Sequence, residues 1–160
     1  ILLQTTATTV MIFFIIIGAV IFGHVVTMLQ VPQQAIAAMA ALGVSPLAFV
    51  LLMCLVFLVL GAFLEVVSVT LITLPIVYPI LLSLQIDPVW FAVIMCINME
   101  IALITPPVGL NLFVIQGIDR NASSEDVFVG VLPFIGVMTL VLALVIAFPS
   151  LSIWLPQLMR

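Results

Sequence analysis

Long apolar segments constrain the fold of this chain more than any other feature of its sequence. The segment from Leu47 to Leu84 carries a single charged side chain, Glu65. As one helix it would extend roughly 57 Å, whereas the hydrocarbon core of a bilayer is only about 30 Å thick. The segment must therefore turn back on itself.

The chain also has too few charged side chains to cover a soluble globule. It has 160 residues, 67% of them hydrophobic and 5% charged, with two basic and six acidic side chains. Its mean hydropathy is +1.62, and soluble domains contain roughly 25% charged residues. We therefore predict an integral membrane protein. It should be all-α, because a helix satisfies its own backbone hydrogen bonds in lipid.

The scarcity of charged residues also argues against some classes of function. A net charge of −4 without a basic patch argues against nucleic-acid binding, which needs cations to neutralise phosphates. Cys54 and Cys96 lie inside apolar runs without the spacing of metal ligands, so both are interpreted as packed thiols. The chain begins with Ile1 and has no signal-peptide pattern, from which we expect a piece of a longer chain.

The turn in the longest apolar segment is expected near Gly61–Glu65, because glycine permits backbone conformations that other residues avoid. No Lys, Arg, Asn or Pro marks a water-exposed loop there. We favour a re-entrant hairpin over 47–84 with its tip buried in protein at mid-membrane, where irregular backbone is tolerated if it lines a cavity. The alternative is two ordinary spans joined by a tight turn.

Hydropathy and turn residues divide the rest of the chain. The first apolar run begins at Val10, after a hydroxyl-rich stretch, and a short interfacial helix is expected over 33–42. Asp87 before Pro88 predicts an N-cap with proline at the first helical position. The predicted order is a membrane helix over 1–29, a loop with the interfacial helix over 30–46, the hairpin over 47–84, a broken membrane helix over 88–118, a cytoplasmic loop over 119–126 and a C-terminal membrane helix over 127–156.

The pair Pro106-Pro107 interrupts the predicted broken helix and changes which backbone groups are free to bind a ligand. In an α-helix the N–H of each residue donates to the carbonyl four residues back, and proline has no N–H. Pro106 therefore removes the usual donor to the carbonyl of Ala102, and Pro107 removes the usual donor to the carbonyl of Leu103. The first half-helix should end near Ile104 with free carbonyls, and the second should begin at Pro107 with free N–H groups. Opposed half-helix ends of this kind bind a cation and an anionic substrate in secondary transporters.

Several polar side chains flank the break or the hairpin tip. Thr105 adds a hydroxyl, with Gly109 and Asn111 shortly after it, and a plain proline kink is the alternative to a binding site. Intramembrane carboxylates are functional or paired by default, since their burial is costly. Glu100 has either a direct role or a protonated side chain in a polar interhelical contact. Glu65 is either functional at the hairpin tip or a charge that reaches a water-filled cavity.

Four motifs resemble the large membrane subunit of the TRAP (tripartite ATP-independent periplasmic) transporters. The resemblance covers most of the chain from about Phe49, and its most specific part is the motif around the proline pair. The motifs are Gly61-Ala62-Phe63-Leu64-Glu65, Thr73-Leu74-Pro75-Ile76-Val77-Tyr78-Pro79, Ile86-Asp87-Pro88-Val89-Trp90-Phe91 and Asn98-Met99-Glu100-Ile101-Ala102-Leu103-Ile104-Thr105-Pro106-Pro107-Val108-Gly109-Leu110-Asn111-Leu112-Phe113.

The resemblance implies a permease, not an enzyme, in the bacterial inner membrane. It implies sodium-driven uptake of a C4-dicarboxylate, sialic acid or a similar organic acid, with Na⁺ as coupling ion and no cofactor. The implied partners are the rest of the large permease subunit, a small membrane subunit and a periplasmic substrate-binding protein. The family's large subunit has two inverted repeats and moves as an elevator, and this chain is similar to the second repeat.

A sodium site is also implied by the resemblance. Its ligands map onto Gly61, Ala102, Thr105 and Val108, mostly through main-chain carbonyls, although the family often has Gly where Ala102 stands. Glu65, Glu100, Pro106, Pro107, Gly109 and Asn111 are further candidates for substrate binding or coupling. Two alternatives are a related organic-anion or arsenite carrier without a binding protein and a non-transporting membrane scaffold. Arg120 favours a cytoplasmic loop over 119–126 by the positive-inside rule.

Overall fold

The computed structural model describes residues 2–105, 109, 111–112 and 124–158. This part of the chain is helical and contains no β-strand. It forms α1 (Leu2–Met28), α2 (Val31–Ala41), α3 (Pro46–Phe63), α4 (Val66–Ser83), α5 (Pro88–Leu103), α6 (Ser124–Ala147) and α7 (Ser150–Leu158). The chain is thus an all-α protein, as its composition predicts.

Among the described helices, four are long and apolar enough to cross a membrane: α1, α3, α4 and most of α6. Large apolar side chains such as Phe14, Leu55 and Phe134 point outward on them, where lipid can cover them. The remaining long apolar helix, α5, has only 16 residues. At 1.5 Å per residue it extends roughly 24 Å, less than the hydrocarbon core, as expected for half of a broken helix. The chain is a multi-pass membrane protein.

The helices divide into two compact units. The first unit contains α1, α2 and α4, which pack against one another. Gly23 allows α1 to approach α4 closely, since a Cβ placed there would lie 3.0 Å from Cγ of Pro75. An open groove of about 670 Å³ runs between α1 and α4, with mainly apolar walls and with His24 and Tyr78 in its lining.

The second unit contains α3, α5, α6 and α7. Phe49 near the start of α3 stacks on Phe91 near the start of α5, with ring centroids 6.4 Å apart. Gly61 near the end of α3 packs on Ala102 at the end of α5, so the two helices run parallel. Trp90 joins α5 to α6 because its Nε1–H donates to the carbonyl of Val145 at 2.7 Å.

Most predicted helix ends agree with the structure. A break separates α3 from α4 at Leu64–Glu65, inside the predicted turn, where both residues are extended. Asp87 caps α5 by accepting hydrogen bonds from the N–H groups of Val89 and Trp90. The last residue of α5 is Leu103, and Ile104 is its C-cap. The re-entrant arrangement of α3 and α4 stays a prediction, because the two helices belong to different units.

The first helix spans Leu2–Met28, in agreement with the membrane helix predicted over 1–29, and it includes the hydroxyl-rich stretch before Val10. Two other boundaries differ from the predicted ones. The predicted interfacial helix spans Val31–Ala41. The C-terminal segment is two helices rather than one, since Pro149 lacks the N–H that would continue α6. The polar loop up to residue 123 lies outside the described residues.

Candidate functional site

The carboxyl ends of α3 and α5 meet in the second unit. Because the two helices are parallel, the carbonyl groups of their last turns point to the same side. Neither helix has a basic residue in its last turn. Two helix C-termini each contribute a partial negative charge. The arrangement therefore favours a cation and disfavours an anion at this end of the pair.

Gly61 and Ala102 form the closest contact between the two helix ends. A Cβ placed on Gly61 would lie 2.8 Å from Cβ of Ala102 and 3.0 Å from Sδ of Met99, so a side chain there would force the neighbouring atoms to shift. Both positions are buried, and Ala102 is fully buried. Glycine thus brings the main chain of α3 next to the main chain of α5. The structure places these two predicted sodium ligands side by side.

The last turn of α5 tightens instead of leaving the carbonyl of Ala102 unpaired. The N–H of Thr105 donates to this carbonyl at 3.2 Å, and the N–H of Ile104 donates to the carbonyl of Ile101 at 3.2 Å. In these bonds the N–H donates to the carbonyl three residues back, and such bonds commonly replace the bonds to the carbonyl four residues back at helix ends. The prediction that Pro106 leaves this carbonyl without a partner is therefore wrong. A carbonyl oxygen has two lone pairs, so one remains for a cation.

The hydroxyl of Thr105 is held at the end of α5 by a hydrogen bond to the preceding turn. Its Oγ1 donates to the carbonyl of Ile101 at 2.6 Å. Because the proton is used in this bond, the oxygen lone pairs are left as acceptors. A hydroxyl oxygen fixed one turn from the contact of Gly61 with Ala102 can serve as a cation ligand. Thr105 therefore adds a third oxygen-bearing residue to the same end of the unit.

Gly109 lies against the end of α5 in a conformation that favours glycine. Its φ is +50°, and a Cβ placed on it would lie 3.1 Å from the carbonyl oxygen of Thr105 and 2.9 Å from Cδ1 of Leu112. The residue is buried, whereas Asn111 is exposed. Glycine is thus required here both by the backbone and by the space. The predicted residues Pro106, Pro107 and Val108 lie outside the described part of the chain.

Glu65 caps α4. Its Oε1 accepts from the N–H of Val67 at 2.9 Å, and its Oε2 accepts from the N–H and the hydroxyl of Ser68 at 3.0 and 3.2 Å. A carboxylate is favoured at a helix N-terminus by the free N–H groups and the positive end of the dipole. The structure thus gives this residue a local structural role, and its role in coupling stays a prediction.

Glu100 lies on the exposed face of α5, one turn after Cys96. Within the described residues its carboxylate has no hydrogen-bond or ion-pair partner. The face opposite it, with Asn98, Met99 and Ala102, is the one that packs inside the unit. The polar contact expected as one alternative for this residue is therefore not formed among the described helices.

A buried polar residue of α5, Asn98, is not singled out by the sequence patterns as a candidate site residue. Its side chain is 3% exposed, and its Nδ2–H donates to the main-chain carbonyl of Cys54 at 2.7 Å, from α5 to α3. An amide inside an apolar helix is itself a signal, because burial without a partner is costly. The sequence does not reveal which carbonyl it meets.

The chemistry available at these helix ends is that of neutral oxygen ligands. Among the described residues, no group of three or more His, Cys, Asp or Glu side chains is close enough to bind a metal ion. A transition-metal centre is built from such side chains, whereas hard cations are bound by carbonyl and hydroxyl oxygens. The described part of the site therefore suits a hard cation.

Comparison with known proteins extends to nearly the whole chain. Residues 1–151 match the family model described as the DctM component of the tripartite ATP-independent periplasmic transporter. The chain is 42% identical over 151 residues to the C4-dicarboxylate TRAP transporter large permease protein DctM of Vibrio cholerae, a match that covers 94% of the chain and 33% of the relative. The corresponding protein of Pseudomonas aeruginosa is 40% identical over 157 residues, which are 98% of the chain and 36% of that relative.

A more distant relative has a different named substrate. The sialic acid TRAP transporter large permease protein SiaM of Vibrio cholerae is 34% identical over 158 residues, which are 99% of the chain and 37% of the relative. The chain thus spans about a third of the length of the curated relatives it matches.

Proposed function

The chain belongs to the family of the DctM component of the tripartite ATP-independent periplasmic transporters, and from this we propose that it is part of a sodium-coupled permease. The permease takes up a small organic acid that a periplasmic binding protein delivers. The observation that carries this proposal is the meeting of the carboxyl ends of the parallel helices α3 and α5 at Gly61 and Ala102.

Sodium fits the chemistry of these helix ends. The proposed ligands are the carbonyl groups of Gly61 and Ala102, the oxygen of Thr105 and the carbonyl of Val108. Neutral oxygens together with two helix C-termini supply partial rather than full negative charge, which suits a monovalent cation that must also leave again. A fixed carboxylate would bind the ion more tightly and slow its release. Sodium is the transported coupling ion here, so no resident cofactor is needed.

The proposed substrate class rests on the names of the relatives and on the half-helix that the sequence predicts to begin at Pro107. The relatives are named for C4-dicarboxylates and sialic acid, which are both organic acids. In our proposal the N–H groups at the predicted helix start near Pro107 bind the acidic group of the substrate, next to the bound sodium. An adjacent cation and anion neutralise each other, which couples the two binding events.

The proposed assembly has three components beside this chain. They are the rest of the large permease subunit, a small membrane subunit and the periplasmic binding protein, in the bacterial inner membrane. The chain is a transporter segment rather than an enzyme. Membrane residence itself agrees with the apolar outer faces of the described helices.

Uptake by the full-length transporter tests the proposal. The complete permease and its small subunit are reconstituted in vesicles, and the binding protein is added outside with radiolabelled organic acid. We expect uptake when sodium is higher outside, and none when potassium replaces sodium at the same ionic strength. Equal uptake in potassium would contradict sodium coupling, and uptake without the binding protein would contradict the delivery step.

A further inference from the structure

Asn98 makes the one side-chain hydrogen bond between α3 and α5 in the described part of the chain. The donor and the acceptor are 2.7 Å apart, and the amide is almost completely buried. Its partner is the main-chain carbonyl of Cys54, which already belongs to the hydrogen-bond ladder of α3. In a low-dielectric interior such a bond is directional and costly to break.

The ring contacts and the contact of Gly61 with Ala102 between the two helices are apolar and less directional. Phe91 lies between Phe49 and Phe57, with ring centroids 6.4 and 6.1 Å apart. At the other end, Gly61 meets Ala102, where small residues leave a smooth surface. Apolar surfaces tolerate a slide of one helix along the other, because the hydrophobic effect has no direction. A bond to a single carbonyl does not tolerate that slide.

Asn98 stands one helical turn before Ala102, and Cys54 stands two turns before Gly61. Along α5 the bond is therefore located between Phe91 and the proposed ion-binding end, and along α3 Cys54 lies between Phe49 and Phe57. We infer that Asn98 is a positioning residue, which fixes the axial register of α3 and α5 and thereby aligns the carbonyl oxygens of Gly61 and Ala102 for sodium. This inference rests on the proposed sodium site.

The register matters because successive carbonyl groups of a helix are separated by about 1.5 Å along its axis. A slide of a fraction of that distance moves the oxygens of one helix end away from a shared ion. The loss should appear as a weaker affinity for sodium, and not only as a less stable protein. That difference separates a positioning role from simple packing.

The test measures sodium affinity in the full-length complex by two routes. One is the sodium concentration that gives half-maximal uptake, and the other is the sodium concentration that gives half of the maximal rise in melting temperature. Asn98→Leu keeps the size of the side chain and removes the donor. We expect both half-saturating concentrations to rise about three- to tenfold, as the loss of one hydrogen bond predicts.

Three matched variants separate register from packing. Cys54→Ala retains the main-chain carbonyl, so sodium affinity should stay near that of the wild type. Asn98→Gln retains a donor on a longer stem, so its affinity should fall between those of the wild type and Asn98→Leu. Phe57→Leu removes ring contacts and should lower the melting temperature without sodium, with little change in the half-saturating concentration.

The outcomes distinguish this inference from the proposed function. If Asn98→Leu melts at a lower temperature but keeps its sodium affinity, the positioning role is refuted while the sodium site stands. If the wild type shows no sodium dependence, the proposed function itself fails. If Asn98→Leu does not assemble, Asn98→Ser provides the test of the positioning role. Its hydroxyl is too short to reach the carbonyl of Cys54, so this variant should show the same rise in the half-saturating sodium concentration.

Discussion

Gly61 and Ala102 are so close that the size of each limits the other. A Cβ added to Gly61 would lie 2.8 Å from the Cβ of Ala102. We expect Gly61→Ala to lower stability by about 1–3 kcal/mol, as overpacking does in cores, and to weaken sodium binding. In Gly61→Ala combined with Ala102→Gly, the space is restored and most of both losses should be recovered. Melting temperature and sodium-dependent uptake measure the two effects.

Ala102→Gly alone is the matched control for this pair. It keeps the carbonyl and should cost only about 0.5–1 kcal/mol, because glycine in a helix is entropically unfavourable. Strictly additive effects in the double variant would contradict the close contact. Recovery of stability without recovery of sodium affinity would mean that this contact packs the helices but does not align ligands.

At the residue scale, the sequence predicts where α5 ends better than how the carbonyl groups at that end are paired. The proline pair correctly locates the end of α5, because proline cannot donate a hydrogen bond. The pairing of the Ala102 carbonyl with the N–H of Thr105 is not predictable from that rule, since a tightened last turn is a local geometric choice. Asn98 is visible as a polar residue, but its partner on α3 depends on the packing of helices.

At the scale of elements, Glu65 determines how α4 begins. Its carboxylate accepts three hydrogen bonds at the helix start. We expect Glu65→Ala to cost about 0.5–2 kcal/mol of stability, as the loss of a cap does, whereas Glu65→Asp should retain part of the cap. Thermal melting of the full-length complex measures the change.

The same variants decide whether Glu65 has a second role. If it acts only as a cap, uptake per folded transporter should remain near that of the wild type in both variants. A loss of uptake in Glu65→Asp that exceeds its loss of stability would instead assign the carboxylate to coupling. Asp87→Asn, which changes another capping carboxylate to a capping amide at the start of α5, serves as the control.

The element boundaries show what local sequence signals can and cannot give. Asp87-Pro88 is a strong start signal, and the structure confirms it. Ser45-Pro46 begins α3 in the same way, with the side chain of Ser45 accepting from the N–H of Ala48. The first helix runs through the hydroxyl-rich stretch before Val10, which has low hydropathy but no residue that stops a helix, and this agrees with the helix predicted over 1–29.

At the scale of the whole molecule, the central question is how the chain is oriented in the membrane. The positive-inside rule and Arg120 predict that the loop over 119–126 faces the cytoplasm. We expect a cysteine in the variant Ser123→Cys, made in a background without Cys54 and Cys96, to resist an impermeant thiol reagent in intact cells. It should react once the cells are permeabilised. Ready labelling in intact cells would reverse the predicted topology.

The units of the molecule also show where prediction from the sequence ends. Apolar composition predicts an all-α membrane protein, since lipid leaves few other folds available. It does not predict that α3 pairs with α5 while α4 pairs with α1 and α2. That choice depends on contacts between residues far apart in the sequence, such as Gly61 with Ala102 and Gly23 with Pro75.

The central claim is that oxygen atoms at the ends of α3 and α5 bind the sodium ion that drives uptake. Thr105 tests it most directly, because Thr105→Ser keeps the hydroxyl whereas Thr105→Val keeps the shape and removes it. The measurement is the sodium concentration that gives half-maximal uptake by the reconstituted full-length transporter. The account predicts a rise of about tenfold or more in Thr105→Val, as expected for the loss of a bond to a charged group, and a value near that of the wild type in Thr105→Ser. An unchanged sodium concentration in Thr105→Val would contradict the claim and leave only a tightened helix end at this position.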